Sequence, residues 1–228
     1  MGSPQAREDP DKLYANREDL ASARRAAAMW ADPNASVPGG SFEAAWKLAR
    51  ASYWLGGHTV DAERRACHEQ GIDAARKAVA LQPGRPEGHF WLAANMGALA
   101  ESAGLTTGLK YRGAIKQELQ TVLRLDPGFE QGSADRALGR WYFKVPAIFG
   151  GSLRQAERHL RASLTYNQHS TASHFFLAEV LLKAGRKDEA RTELSLVMDA
   201  PLDPDWAPED REFKNKASQL LETLRSRS

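Results

Sequence analysis

The sequence predicts an all-α protein: a right-handed α-α superhelix of helical hairpins that ends in a C-terminal capping helix. The first observation behind this prediction is the segment 175–196, where apolar residues recur at helical spacing on both sides of Gly185. Glycine accepts the left-handed conformation that closes a helix, so Gly185 marks the turn of a hairpin. The small residue Ala190 follows the turn, and it allows the second helix to approach the first closely.

The second observation is a repeat. The residues that open the successive second helices are Gly71, Ile115, Ala156 and Ala190, at spacings of 44, 41 and 34 residues. The last spacing equals the tetratricopeptide period of about 34 residues, and the chain therefore resembles tetratricopeptide-repeat (TPR) proteins. We expect insertions at the hairpin tips to explain the longer spacings. These insertions are expected at 57–66, 104–109 and 145–151.

Apolar periodicity, read together with Gly and Pro as helix breakers, predicts each element in turn. Residues 1–12 are expected to be disordered, and 13–228 to form a single TPR-like solenoid domain. We expect Gly56 and Gly57 to end the segment 41–55. The predicted segments are a first helix at 13–30, hairpins built from 41–55 with 72–82, 86–103 with 109–125, 133–143 with 153–166 and 175–184 with 187–197, and a last helix at 209–225 that caps the solenoid.

Composition and charge exclude several classes of function. Hydrophobic residues make up 42% of the 228 and charged residues 26%, as in ordinary globular domains. The net charge of +2 is too small to indicate a nucleic-acid partner. No run of about 18 apolar residues exists, so we predict no membrane span. The single cysteine, Cys67, excludes an intramolecular disulfide.

No catalytic constellation is present, and we predict a protein that is not an enzyme and needs no cofactor. The segment 104–110, GLTTGLK, lacks the spacing of a phosphate-binding loop, and no strand precedes Gly150-Gly151-Ser152 as a nucleophile elbow requires. A metal or enzyme site on the helical scaffold is the less favoured alternative. Two groups of residues are candidates for such a site. One is His58, Cys67 and His68, and the other is His159, His169 and His174.

Aromatic residues concentrate on the first helices of the hairpins, which line the binding surface of such solenoids. We predict a ligand site bordered by Trp54, Asn95, Arg140 and Tyr142. A small apolar ligand with an anionic group would contact the aromatic rings and Arg140, and Asn95 would orient it. In the competing interpretation Arg140 pairs with Asp135 or Asp126, and the aromatic rings fill the core.

The segment 135–151, DRALGRWYFKVPAIFGG, followed by SLRQAERHLRASL, resembles the T component of TRAP transporters, and more distantly the regulators of microtubule dynamics. The first resemblance implies a periplasmic, often lipid-anchored protein that binds a solute-binding protein. We therefore expect a protein partner and a periplasmic location. The alternative is a generic intracellular TPR adaptor in the cytoplasm, and a homo-oligomer is left open.

The start of the chain lacks an apolar signal core and a lipoprotein cysteine, so we expect any export signal or lipid anchor to lie outside this sequence. Within the most specific segment, Ile148 and Phe149 are apolar residues in a turn. We expect them either to fill a crevice of the core or to meet a partner.

Overall fold

The computed structural model describes residues 8–32 and 38–226, with the side chains of 105–107 left aside, and in these ranges all regular structure is helical. This confirms the predicted all-α class. A short 3-10 helix, Ala147–Phe149, lies between α7 and α8. The α-helices are α1 (Pro10–Ala15), α2 (Leu20–Ala31), α3 (Gly40–His58), α4 (Asp61–Leu81), α5 (Pro86–Ser102), α6 (Leu105–Leu125), α7 (Phe129–Lys144), α8 (Leu153–Leu164), α9 (Thr171–Lys183), α10 (Lys187–Asp199) and α11 (Ala207–Ser226).

The predicted first helix, 13–30, is two helices in the structure. The break comes at Asp19, whose carboxylate accepts hydrogen bonds from the backbone amides of Ala21 and Ser22 and so caps α2. The hydrogen bonds that Asp19 accepts, first from the Ser22 hydroxyl and then from these amides, lower the pKa of the carboxyl. Of the segment expected to be disordered, residues 1–7 lie outside the described residues, and α1 already begins at Pro10.

The prediction that Gly56 and Gly57 end a helix is wrong. Helix α3 continues to His58, and the charged stretch from Asp61 onwards belongs to α4. A Cβ atom at position 56 would lie 2.4 Å from Cε1 of His68, so the glycine makes room for that ring. The expected insertions at 57–66 and 104–109 are likewise mostly helix, because α6 begins at Leu105. Longer helices therefore account for the additional residues at 57–66 and 104–109, whereas 145–151 is a turn that contains the 3-10 helix.

The chain divides into two compact units, which we call unit 1 (residues 1–118) and unit 2 (residues 119–228). In unit 1, α1, α2 and α3 share one apolar cluster, and α4 packs on both α3 and α5. The buried members of the cluster are mainly small alanines together with Tyr14, Trp30, Trp54 and Leu55.

In unit 2, helices α8, α9 and α10 bury one apolar cluster, and α11 covers it. Ala156, Ala190 and Ala217 are fully buried at the helix contacts, where larger side chains would not fit. The apolar residues of α11 pack against the cluster, which is the role expected of a capping helix. They are Phe213, Leu220, Leu221 and Leu224.

The replacement Ala190→Leu should overpack the contact between α9 and α10. We expect a loss of about 1–3 kcal/mol in the free energy of unfolding, measured by urea denaturation. Ala184→Leu is the matched control, because Ala184 is exposed at the end of α9. Equal stability of the two variants would contradict the proposed contact.

Candidate functional site

Trp54, the first of the predicted ligand residues, is held within unit 1. Its indole Nε1 donates a hydrogen bond to the carbonyl oxygen of Arg17 at 2.8 Å, and its ring stacks on His58 at 3.7 Å between ring centres. The Arg17 guanidinium carbon lies 5.3 Å from the Trp54 ring centre. With 5% of its surface exposed, Trp54 ties the loop between α1 and α2 to α3.

Asn95 is fully buried in unit 1 and joins three helices. Its Nδ2 donates to the carbonyl oxygens of Ala49 in α3, at 3.0 Å, and of Trp91 in α5, at 2.9 Å. Its Oδ1 lies 3.5 Å from Nδ1 of His68 in α4. Burial lowers the pKa of His68, so the neutral ring can donate this hydrogen bond. A Cβ at Gly71 would lie 2.2 Å from Asn95 Oδ1, so the amide also requires a glycine beside it.

Gly71→Ala should therefore destabilise unit 1 by about 1–3 kcal/mol, because the new methyl group displaces the Asn95 amide from its hydrogen bonds. Gly97→Ala in α5 is the matched control, since a Cβ there meets no atom within 4 Å. The control should stabilise the helix by about 0.5–1 kcal/mol. The check is chemical denaturation of both variants, and destabilisation by the two to the same extent would contradict the Asn95 contact.

Arg140 and Tyr142 lie on α7 in unit 2. Arg140 Nη1 donates to Glu179 Oε2 in α9 at 2.6 Å, and its guanidinium carbon lies 4.8 Å from the Phe176 ring centre. Tyr142 stacks on His159 of α8, with ring centres 5.3 Å apart. The sequence suggested Asp135 or Asp126 as the ion-pair partner of Arg140. In the structure Asp135 accepts a hydrogen bond from His159, and Asp126 accepts one from the backbone amide of Gly128.

The four predicted ligand residues thus belong to two units, with Trp54 and Asn95 in unit 1 and Arg140 and Tyr142 in unit 2. In each unit the side chains already have protein contacts. A common ligand site at these four residues stays a prediction.

Hydrogen bonds between histidine and carboxylate recur within the hairpins and were not predicted from the sequence. His89 and His174 are each the fourth residue of a first helix, and their Nδ1 atoms bond Glu118 and Glu193 of the following helices. Both acids come three residues after the repeat positions Ile115 and Ala190. The repeat spacing itself was therefore the signal that could have found them.

The third hairpin carries the same pair with the partners exchanged. His159, three residues after Ala156, donates from Nδ1 to Asp135 Oδ1 of the first helix at 2.7 Å. In the other two hairpins the Nε2 atom of the histidine also lies within hydrogen-bond distance of a backbone carbonyl oxygen six residues earlier. The distance is 2.9 Å both from His89 to Pro83 and from His174 to Gln168. Both ring nitrogens of these two histidines face hydrogen-bond acceptors.

Stability should depend on pH through His174. Burial disfavours the charged ring, but the hydrogen bonds to Glu193 and to the Gln168 carbonyl outweigh burial and raise the pKa of His174. Its stabilisation is therefore complete below the ordinary histidine pKa of about 6.5 and is lost as pH rises through the higher pKa of the folded state. We expect the stability difference between the natural chain and His174→Gln to be largest near pH 5.5 and to shrink above neutrality. Urea unfolding across pH measures it, and a difference that grows with pH would contradict the argument.

The first helices α7 and α9 and the capping helix α11 share a row of aromatic and charged side chains, half-buried except for the exposed Lys216. We call this row the first-helix strip: Arg140, Phe176, Glu179, Phe213 and Lys216. The Phe176 and Phe213 ring centres are 5.3 Å apart in an edge-to-face contact, and Lys216 Nζ lies 5.0 Å from the Phe213 ring centre. With Arg140 on the other side of Phe176, the strip runs without interruption across α7, α9 and α11.

A cavity of about 250 Å³ adjoins this strip at Phe213. Its walls are the starts of α7 and α9 and the connector between α10 and α11. Gln131 Nε2 donates to Asp203 Oδ2 at 2.9 Å, and Thr171 Oγ1 donates to Asp210 Oδ1 at 2.6 Å, which fixes the connector. Because the cavity depends on a connector of irregular structure, helical periodicity held no signal for it.

The histidine groups considered as metal sites do not come together. Within the part of the chain that the structure describes, no three His, Cys, Asp or Glu side chains are placed to hold a metal ion. Burial also raises the pKa of the Cys67 thiol, which disfavours the thiolate that a metal requires.

No helix in the described ranges combines the length and the apolar character that crossing a membrane requires.

The turn after α7 presents an apolar residue to solvent. Ile148 is 85% exposed, so the expectation that it fills a crevice of the core is wrong, and the partner alternative stays a prediction. The turn is closed by a hydrogen bond from Gly151 N to Pro146 O at 3.1 Å. A Cβ at Gly151 would lie 1.7 Å from Val145 O, so only glycine fits this path.

Comparison with known proteins first defines the class. Residues 150–208 match a tetratricopeptide-repeat family. The structure resembles the crystal structure of TTC0263, a thermophilic TPR protein of Thermus thermophilus, with a TM-score of 0.69 and 21% identity over 93% of this chain and 97% of that one. It also resembles MamA, with a TM-score of 0.52 and 19% identity over 93% and 99% of the two chains. The fold is an α-α superhelix of TPR-like hairpins.

The family follows from the larger part of the chain. Residues 8–149 match the family Regulator of microtubule dynamics protein 1-3, and the chain belongs to that family. It is similar to Regulator of microtubule dynamics protein 3 of Rattus norvegicus, with 23% identity over 192 residues, which is 77% of this chain and 40% of that protein. The chain thus spans well under half the length of that relative. The more distant of the two resemblances seen in the sequence is confirmed.

Proposed function

We propose that the chain is a non-enzymatic protein-binding module and that the first-helix strip of unit 2 binds an extended segment of its partner. The observation that carries the proposal is the continuity of the strip, in which half-buried rings alternate with charged groups across three helices. Aromatic residues and arginine are the residue types enriched at protein interfaces. First helices are also the surface that TPR-like solenoids offer to ligands.

The contacts of Arg140 prepare the strip for binding. Glu179 holds one side of its guanidinium, and Phe176 lies beneath it, so its position is set before a partner arrives. A fixed side chain loses little conformational entropy on binding, which favours affinity. The adjoining cavity offers room for a side chain of the bound segment.

The family name supports tubulin or the microtubule as the partner in this proposal. The resemblance to TRAP T components supports a different partner, a periplasmic solute-binding protein, and with it a small anionic ligand at Trp54, Asn95, Arg140 and Tyr142. The family match covers more than half of the chain, and for this reason we favour the microtubule.

The test is co-sedimentation of the purified chain with stabilised microtubules. We expect Arg140→Ala and Phe176→Leu to weaken binding at least tenfold, as hot-spot residues do. Leucine keeps the apolar contact of Phe176 with the core but removes the ring beneath Arg140. Arg161→Ala on α8 is the matched control, because this exposed arginine pairs with Glu157 away from the strip.

Equal weakening by the control would show that only net charge matters. Failure of the natural chain to bind microtubules, together with binding of a purified solute-binding protein, would replace the proposed partner. Melting temperatures of the variants without partner separate a structural role of Arg140 from a binding role.

A further inference from the structure

We propose that unit 1 contains an anion-binding site at Arg50 that takes a carboxylate of an acidic peptide. The site lies on α3 and is separate from the first-helix strip of unit 2, so it does not depend on the function proposed there. Two buried hydrogen-bond donors that find no acceptor among the described residues carry the inference.

The first donor belongs to Arg50. Its guanidinium carbon lies 4.3 Å from the Tyr14 ring centre and 5.0 Å from the Trp46 ring centre, so two aromatic rings hold the half-buried group. Its Nε is buried and has no hydrogen-bond partner among residues 8–32 and 38–226. Within the same ranges no carboxylate is placed to form an ion pair with it.

Three other cations of unit 1 differ from Arg50 in this respect. Lys47, one turn earlier on α3, binds Asp11 at 2.9 Å. Arg85 binds Glu87, and Arg24 binds Glu63 at 2.8 Å. The chain therefore supplies carboxylates to these three cations but leaves Arg50 without one in the part that the structure describes.

The second donor is the indole Nε1 of Trp91 in α5. It too is buried without an acceptor in the described part of the chain, and the residue is only 4% exposed. Its ring lies 5.7 Å from that of Tyr53, which is 41% exposed and follows Arg50 by three residues on α3. Residues three apart share a helix face, so Tyr53 connects the surroundings of the two donors.

The chemistry of these groups selects the ligand. A guanidinium fork matches a carboxylate, and an arginine that already lies between rings needs little ordering. The Trp91 indole can only donate, so a backbone carbonyl of the same ligand satisfies it. Two separated donors joined by an exposed tyrosine suit an extended acidic peptide better than a single small anion.

The experiment uses the full chain labelled with ¹⁵N, with an acetylated decaglutamate peptide as the probe. The Trp91 indole resonance is assigned through the variant Trp91→Phe. We expect decaglutamate to shift this resonance and to bind Arg50→Gln at least tenfold more weakly than the natural chain. Arg76→Gln should bind as the natural chain does, because Arg76 is exposed on α4 and pairs with Asp73.

Arg50→Lys keeps the charge but loses the planar fork, and we expect an intermediate affinity, which gives a second measurement if Arg50→Gln folds poorly. Equal binding by Arg50→Gln and the natural chain would overturn the proposal. So would a Trp91 indole signal that does not respond to the peptide. Inorganic phosphate that reproduces the full response, or binding only to anionic vesicles, would overturn the choice of a peptide.

Discussion

Three of the four hairpins have close helix contacts at a residue with little or no side chain, and the second has Ile115 at that position. Ala156 and Ala190 are fully buried where second helices meet first helices, and Gly71 occupies the corresponding position in the first hairpin. Helices that approach closely at one point bring their flanking side chains into register. Gly71 of α4 faces α5, the first helix of the next hairpin, and there the Asn95 amide lies directly over it. The apolar cluster of unit 2 and the Asn95 hydrogen bonds of unit 1 depend on these close contacts.

The histidine–carboxylate bonds are a second consequence of the same register. Three residues beyond the repeat position, the second helices of the last three hairpins face their first helices again, and there the chain has Glu118, His159 and Glu193. The partners are exchanged in the middle case, which shows that the geometry fixes the place of the pair rather than the identity of either residue. Each pair adds a directional bond to a contact that apolar packing alone would leave free to slide.

The sequence predicted the helices well wherever a helix ended at proline or at a left-handed glycine, because those residues act locally. It failed at Gly56, where a glycine inside α3 makes room for a ring from another helix, and at Asp19, whose cap divides one predicted helix into two. The site was harder to predict because it depends on contacts between elements. Aromatic residues on first helices were visible in the sequence, but the hydrogen-bond partners of Trp54 and Asn95 were not.

Whether a buried hydrogen-bond donor has an acceptor within the protein separates structural roles from binding roles among the residues of these helices. The donors of Trp54 and Asn95 have acceptors inside unit 1, so the fold itself accounts for both residues. Arg50 Nε and Trp91 Nε1 are buried in the same unit without acceptors in the described ranges. Folding gains nothing from leaving a buried donor unpaired, since the group loses water and receives no bond in return. A ligand that brings the acceptors removes that penalty only when it binds, which makes these two donors the better guide to a binding site in unit 1.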